Sequence, residues 1–172
     1  MIALGIDPGS HRTGWGLVRQ EGSKYVLLDV GLIKTRAGGP LHERLAQLHG
    51  DLSSLLASKS PDLVGVESVF HGPNTRSLVT LGQARGALLA ALGSFAGPVI
   101  DLSPAEVKKA VTGRGSATKD QVAHMMAALL GHAASQKAED LGKQGRYDAT
   151  DALAVAVAAL QRRSQEHALA QH

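Results

Sequence analysis

Residues 1–20 read MIALGIDPGSHRTGWGLVRQ, and the reading of this stretch decides the fold. Ile2–Ile6 make a short unbroken apolar run, the pattern of a strand buried on both faces. The run ends in a carboxylate, Asp7, followed at once by the turn residues Pro8 and Gly9. A second strand-like run begins at Gly14 and covers residues 14–19. A third, YVLLDVGLIK, covers 25–34 after the turn-like Gln20–Lys24. Three strands joined by short connections predict an antiparallel meander.

Working outward, Leu41, Leu45, Leu48, Leu52, Leu55 and Leu56 recur at helical spacing and predict a helix over 41–57, ended by Pro61. Residues 62–68 (DLVGVES) read as a fourth strand, again with an acid, Glu67, at its C-terminal end. Residues 75–94 predict a long helix that is apolar on most faces and rich in small residues. Such a helix is expected to be covered on more than one side, by core or by a second subunit, with Gly82, Gly86 and Ala90 in close packing. Residues 97–102 predict a fifth strand. Ser103, Pro104 and Glu106 then supply an N-cap, an N1 proline and an N3 acid for the next helix. The Gly-rich loop around Gly113–Ser116 feeds another helix. Residues 133–146 read as polar and irregular, 147–162 as a final helix, and 163–172 as a flexible tail.

This order predicts an α/β fold with a mixed central five-stranded sheet, the meander plus parallel strands, flanked by helices on both faces. A single domain spans 1–162. The composition agrees: 44% apolar and 19% charged residues over 172 residues suit one globular core. With no cysteine, thiolate nucleophiles, zinc–thiolate sites and disulfides are excluded. A cytoplasmic location is expected, since no stretch reads as a leader or a membrane span. The net charge of +3 and a pI near 9.4 are compatible with a nucleic-acid partner without identifying one.

Sites in open α/β sheets form at the carboxyl ends of strands. Asp7 and Glu67 occupy two such ends. Asp148 and Asp151 in RYDATDALAVAVAAL stand at i and i+3, on one face of the expected first turn of the last helix. Singly, each acid has a plain explanation: a turn residue, a salt-bridged strand end, an N-cap and its capping partner. Together they would repel one another and raise their own pKa values unless a cation sat among them. Oxygen donors without cysteine or paired histidine suit Mg²⁺ or Mn²⁺, and two such ions can activate water against a phosphodiester.

In order and spacing, the motifs GIDPGSHRTGWG, VESVF with LGQARGALLAA, VKKAVTGRGSATKDQV and DATDALAVA resemble those of the RuvC family of Holliday junction resolvases, over residues 1–160. The resemblance implies an RNase H-like fold and a homodimer carrying two Mg²⁺ per active site, Mn²⁺ substituting. It implies a structure-selective endodeoxyribonuclease of recombination and repair. Paired symmetric nicks in a four-way DNA junction would leave 5′-phosphate and 3′-hydroxyl ends, with the branch-migration proteins RuvA and RuvB as partners. Asp7, Glu67, Asp148 and Asp151 fall on the family's catalytic, metal-holding positions. Phe70 falls on an aromatic that would act at the junction centre. Lys108 and Lys119 match important lysines, and Lys109, Arg114 and Ser116 share their loop region as expected DNA contacts, with Arg76 and Arg85 on the long helix. His11, Arg12 and His71 border the expected site, and the sequence leaves them open between DNA and solvent. The remaining histidines read as surface or packing residues, and Trp15 and Tyr25 as core.

Three rivals share parts of this pattern. The first strand and turn are similar to those of actin/Hsp70-type ATPases, which use two such domains where 172 residues supply one. An RNase H-like nuclease acting on RNA would be separated by substrate comparison. A junction-binding protein with a dead site would be separated by a cleavage assay with and without Mg²⁺.

Overall fold

Alternate residues of the first strand face two different helical layers. Leu4 and Ile6 join a core with Leu48, Leu52 and Leu88, whereas Ala3 joins a second core with Leu153, Ala156 and Leu160. The computed structural model describes residues 1–68 and 74–170. Its elements are β1 (Ile2–Asp7), β2 (Arg12–Glu21), β3 (Lys24–Lys34), α1 (Leu41–Lys59), β4 (Leu63–Glu67), α2 (Thr75–Leu92), β5 (Val99–Leu102), α3 (Pro104–Thr112), α4 (Lys119–Leu130), α5 (His132–Glu139) and α6 (Gly142–Leu169). The sheet runs β3-β2-β1-β4-β5. β1, β2 and β3 form the antiparallel meander, and β1, β4 and β5 are parallel. The first core places α1 and α2 on one face, and the second places α3 to α6 on the other.

Local chemistry sets the helix starts as the sequence predicts for α3. Ser103 and Glu106 form a reciprocal capping box with Pro104 in the first turn, and Thr118 with Gln121 does the same for α4. Lys119 is therefore the first residue of α4, held by a capped turn.

Three expectations are corrected. Residues 133–139 and 142–146 are helical: α5 buries Ala134 and Ala138, one turn apart, and α6 begins at Gly142. Alanine pairs bury a narrow stripe that periodicity barely registers. Asp148 and Asp151 thus lie well inside α6, and the helix N-terminus does not account for them. Residues 163–169 continue α6 where a tail is expected, with Arg162 and Arg163 paired to Glu166. In α6, residues 152–160 are all buried. α2 buries one face through Ala84, Leu88, Ala91 and Leu92. Its Val79 is 54% exposed, and a Cβ on Gly82 or Gly86 would meet open space.

Candidate active site

Asp7 and Glu67 end neighbouring parallel strands at the same level, because Ile6 pairs with Val66. The other two acids arrive on α6, and glycines decide how closely that helix lies. Gly16, Gly5 and Gly65 stand abreast in register across β2, β1 and β4. A Cβ on Gly5 would collide with the Ala152 carbonyl and the Ala156 amide of α6. On Gly16 it would lie 2.6 Å from Leu153 Cδ2, and on Gly65 2.8 Å from Ala159 Cβ. Gly14, opposite Asp7, abuts the Asp148 carbonyl. Glycine inside a strand marks such close approach. Here it seats the backbone of α6 on the sheet, and Asp148 and Asp151 beside the strand ends.

The electrostatics follow from this crowding. Burial pushes the Asp7 carboxyl well above the ordinary carboxylate range, and the charges of Glu67, Asp151 and Asp148 push it further. Burial also raises Glu67, opposed by its hydrogen bond with Asp7 and by Lys119 and Lys108, while Asp151 adds to the rise. Burial raises Asp148 against the opposing Arg12, whose Nε lies 3.2 Å from Asp148 Oδ2. Lys119 Nζ lies 3.1 Å from Asp151 Oδ2, and that charge raises the lysine.

The four acids thus feel one another, yet each is engaged. Among the described residues no three acidic or imidazole groups are already spaced as a metal cage. The donor set still fits a hard divalent cation: it is all oxygen, and the burial and mutual repulsion that raise Asp7, Glu67 and Asp148 are what a cation among them would relieve.

The remaining expected residues divide. Lys108 and Lys119 face the acids. Lys109 instead lines a groove of about 430 Å³ between α3 and α6, with Glu106 and Arg162. Arg114 is exposed beside a second groove with Thr112 and His124, and Ser116 is exposed nearby. Arg76 is exposed at the start of α2. Arg85 is held inward, 2.5 Å from Asp101 Oδ1, and is not a free surface cation. Phe70 and His71 lie outside the described residues. His11 is exposed, and Arg12 lines a cavity of about 360 Å³ with Lys119, Tyr147 and Asp148. Trp15 and Tyr25 pack against the two cores. Sequence reading missed the glycine row, although glycines inside strand patterns are its signal, and left Arg12 unassigned.

A 3-2-1-4-5 mixed sheet, with acids at the ends of its two central parallel strands and on the helix laid across them, defines a nuclease of the RNase H-like class. The family model for "Crossover junction endodeoxyribonuclease RuvC" matches residues 3–159, and the chain belongs to that family. The RuvC of Chlorobaculum parvum is 43% identical over 162 residues, covering 94% of this chain and 82% of that protein. The structure titled "T. thermophilus RuvC in complex with Holliday junction substrate" is similar at 32% identity and a TM-score of 0.81, covering 96% of each chain. The yeast mitochondrial Holliday junction resolvase Ydc2 shares the fold at 15% identity and a TM-score of 0.72, covering 95% of this chain and 80% of that one. The chain is accordingly a crossover junction endodeoxyribonuclease, a hydrolase of phosphodiester bonds.

Proposed function

We propose that the protein resolves four-way DNA junctions as a homodimer, each protomer cutting one strand at Asp7, Glu67, Asp148 and Asp151. The juxtaposition of Asp7 with Glu67 under a glycine-seated α6 carries this reading. The four carboxylates would hold two Mg²⁺, or Mn²⁺ in their place. Such ions supply Lewis acidity for water attack and for the leaving oxygen. To serve as ligands the carboxylates must be ionised, and a cation among them would offset the burial and repulsion that raise Asp7 and Glu67. Arg12 and Lys119 then have carboxylate partners competing with phosphate, and with Lys108 they position the strand. Hydrolysis joins the water oxygen to phosphorus and breaks the bond to the 3′ oxygen, which takes a proton. The ends are 5′-phosphate and 3′-hydroxyl.

The open face of α2 supports the dimer. Val79, Leu78, Gly82 and Gly86 offer apolar, closely approachable surface, and a two-fold dimer matches a two-fold junction. Arg76, Lys109, Arg114 and Ser116 extend the DNA-facing surface, and the family resemblance gives Phe70 a role at the junction centre. RuvA and RuvB are the expected partners on the junction. Among the described residues no helix is long and apolar enough to cross a membrane, and a DNA substrate agrees with the cytoplasmic location we propose.

One gel tests the reading. Synthetic four-way junction and linear duplex are incubated with Mg²⁺, Mn²⁺ or chelator, wild type beside Asp7→Asn. Paired nicks in the junction alone, dependent on the cation and lost in the variant with binding retained, are expected. Equal cleavage of duplex, or normal cleavage by Asp7→Asn, would refute it.

A further inference from the structure

Among the described residues three polar side chains are buried: Thr13 (0% exposed), Thr35 (8%) and Arg44 (9%). All three bind one piece of backbone, the turn at Gly9–His11 that leads out of Asp7. Thr13 Oγ1 donates to the Gly9 carbonyl at 3.0 Å and lies 3.3 Å from its amide. The Thr35 amide donates to the His11 carbonyl at 3.1 Å, and its hydroxyl lies 3.3 Å from the Ser10 carbonyl. Arg44, on α1, donates through Nη2 to the Ser10 carbonyl and through Nε to Thr35 Oγ1 at 3.4 Å. The turn ends at Arg12, which pairs with Asp148.

These partners of Arg44 are neutral oxygens. A buried guanidinium is costly to desolvate, and an apolar side chain would fill the space at lower cost. What the guanidinium adds is geometry: a planar fork that fixes a carbonyl and a hydroxyl at once. A turn pinned from three sides cannot drift, and the residue it delivers stands at the site.

We infer that Arg44 is a positioning residue of the reaction, locking the Gly9–His11 turn and through it the placement of Arg12 against Asp148. α1 lies on the opposite face of the sheet from α6, so the influence passes around the sheet end through the turn. The inference rests on the cleavage reaction proposed above.

The test compares Arg44→Met, Thr35→Val, Thr35→Ser and Arg12→Gln, alone and with Arg12→Gln combined with Arg44→Met. Thermal melts choose a temperature at which every variant is folded. Single-turnover cleavage of a four-way junction and junction affinity in chelator are then measured. A misplacement near 1 Å costs up to about 100-fold in rate. Arg44→Met is therefore expected to slow cleavage between about 10- and 100-fold, with affinity changed less than about twofold. Thr35→Val should slow it severalfold, and Thr35→Ser, which keeps the hydroxyl, should restore it. Arg12→Gln added to Arg44→Met should cost little more, because coupled residues are non-additive. Should Arg44→Met not fold, the valine and serine pair decides. Wild-type rates in Thr35→Val and Arg44→Met, or full multiplication with Arg12→Gln, would overturn the inference alone. A wild type that does not cut junctions would overturn the proposed function and this inference with it.

Discussion

Replacing Gly5 by alanine adds one methyl group where β1 passes under α6. The added carbon would lie 2.9 Å from Ala156 Cβ and closer still to the Ala152 carbonyl and the Ala156 amide. Two of these three obstacles are helix backbone, which cannot rotate aside, so α6 must lift by roughly 1 Å in a close-packed interior. Overpacking of this kind costs about 1–3 kcal/mol. In a domain of this size each 1 kcal/mol lowers Tm by about 2–4 °C. The same lift carries Asp148 and Asp151 away from Asp7 and Glu67, and a displacement near 1 Å costs up to about 100-fold in rate. Gly50→Ala is the control. Gly50 lies inside α1 with nothing near its would-be Cβ, so helix propensity predicts a gain of up to about 1 kcal/mol. Melting curves and single-turnover junction cleavage read both effects. A Gly5→Ala protein as stable and as active as wild type would refute the idea that the glycine row seats the catalytic helix.

Asp7→Asn should stabilise the metal-free protein at neutral pH. The folded-state pKa of Asp7 is raised, so its contribution to stability is present in full below its unfolded value near 3.9 and is lost as pH rises through the folded value. Asparagine removes that loss and can still donate to Glu67. Urea midpoints should favour the variant at pH 7–8 and converge below about pH 4; a variant less stable at pH 8 would contradict the burial argument. Mg²⁺ or Mn²⁺ should raise the Tm of wild type and not of Asp7→Asn. Lys119→Ala should lower the slope of log Kd for the junction against log salt by about one, measured by anisotropy, with stability changed by less than about 1 kcal/mol because the pair is solvent-exposed. Gly86→Arg, on the open face of α2, should convert a particle of twice the 17.8 kDa chain mass into a monomer in light scattering.

Much of the architecture is legible because it depends on local chemistry. Strand runs such as Ile2–Ile6 and Leu63–Val66 carry their burial in their own residues, and the cap at Ser103 announces its helix. Less legible is the segment before Asp148. Gly142 and Gly145 argue against helix by propensity, yet Gly145 packs against Leu32 of β3 and the helix runs through both. α6 shows the same limit from another side: its residues 152–160 are all buried, and an alanine-rich composition shared with α2 does not announce that.

The sequence by itself singled out four acids and determined where two of them stand, because a strand's end is a property of the strand. Asp7 and Glu67 close two apolar runs, and sheet pairing brings such ends level. Only the tertiary structure decided how the four carboxylates are engaged: burial and mutual charge raise Asp7 and Glu67, and Arg12 and Lys119 pair with Asp148 and Asp151. It also decided that Gly5, Gly16 and Gly65 form one row and that Arg44 reaches the turn after Asp7 from the far face of the sheet. These relations join residues distant in the chain. Their energies arise from close approach and desolvation, which depend on the packed neighbours and not on the residue type alone.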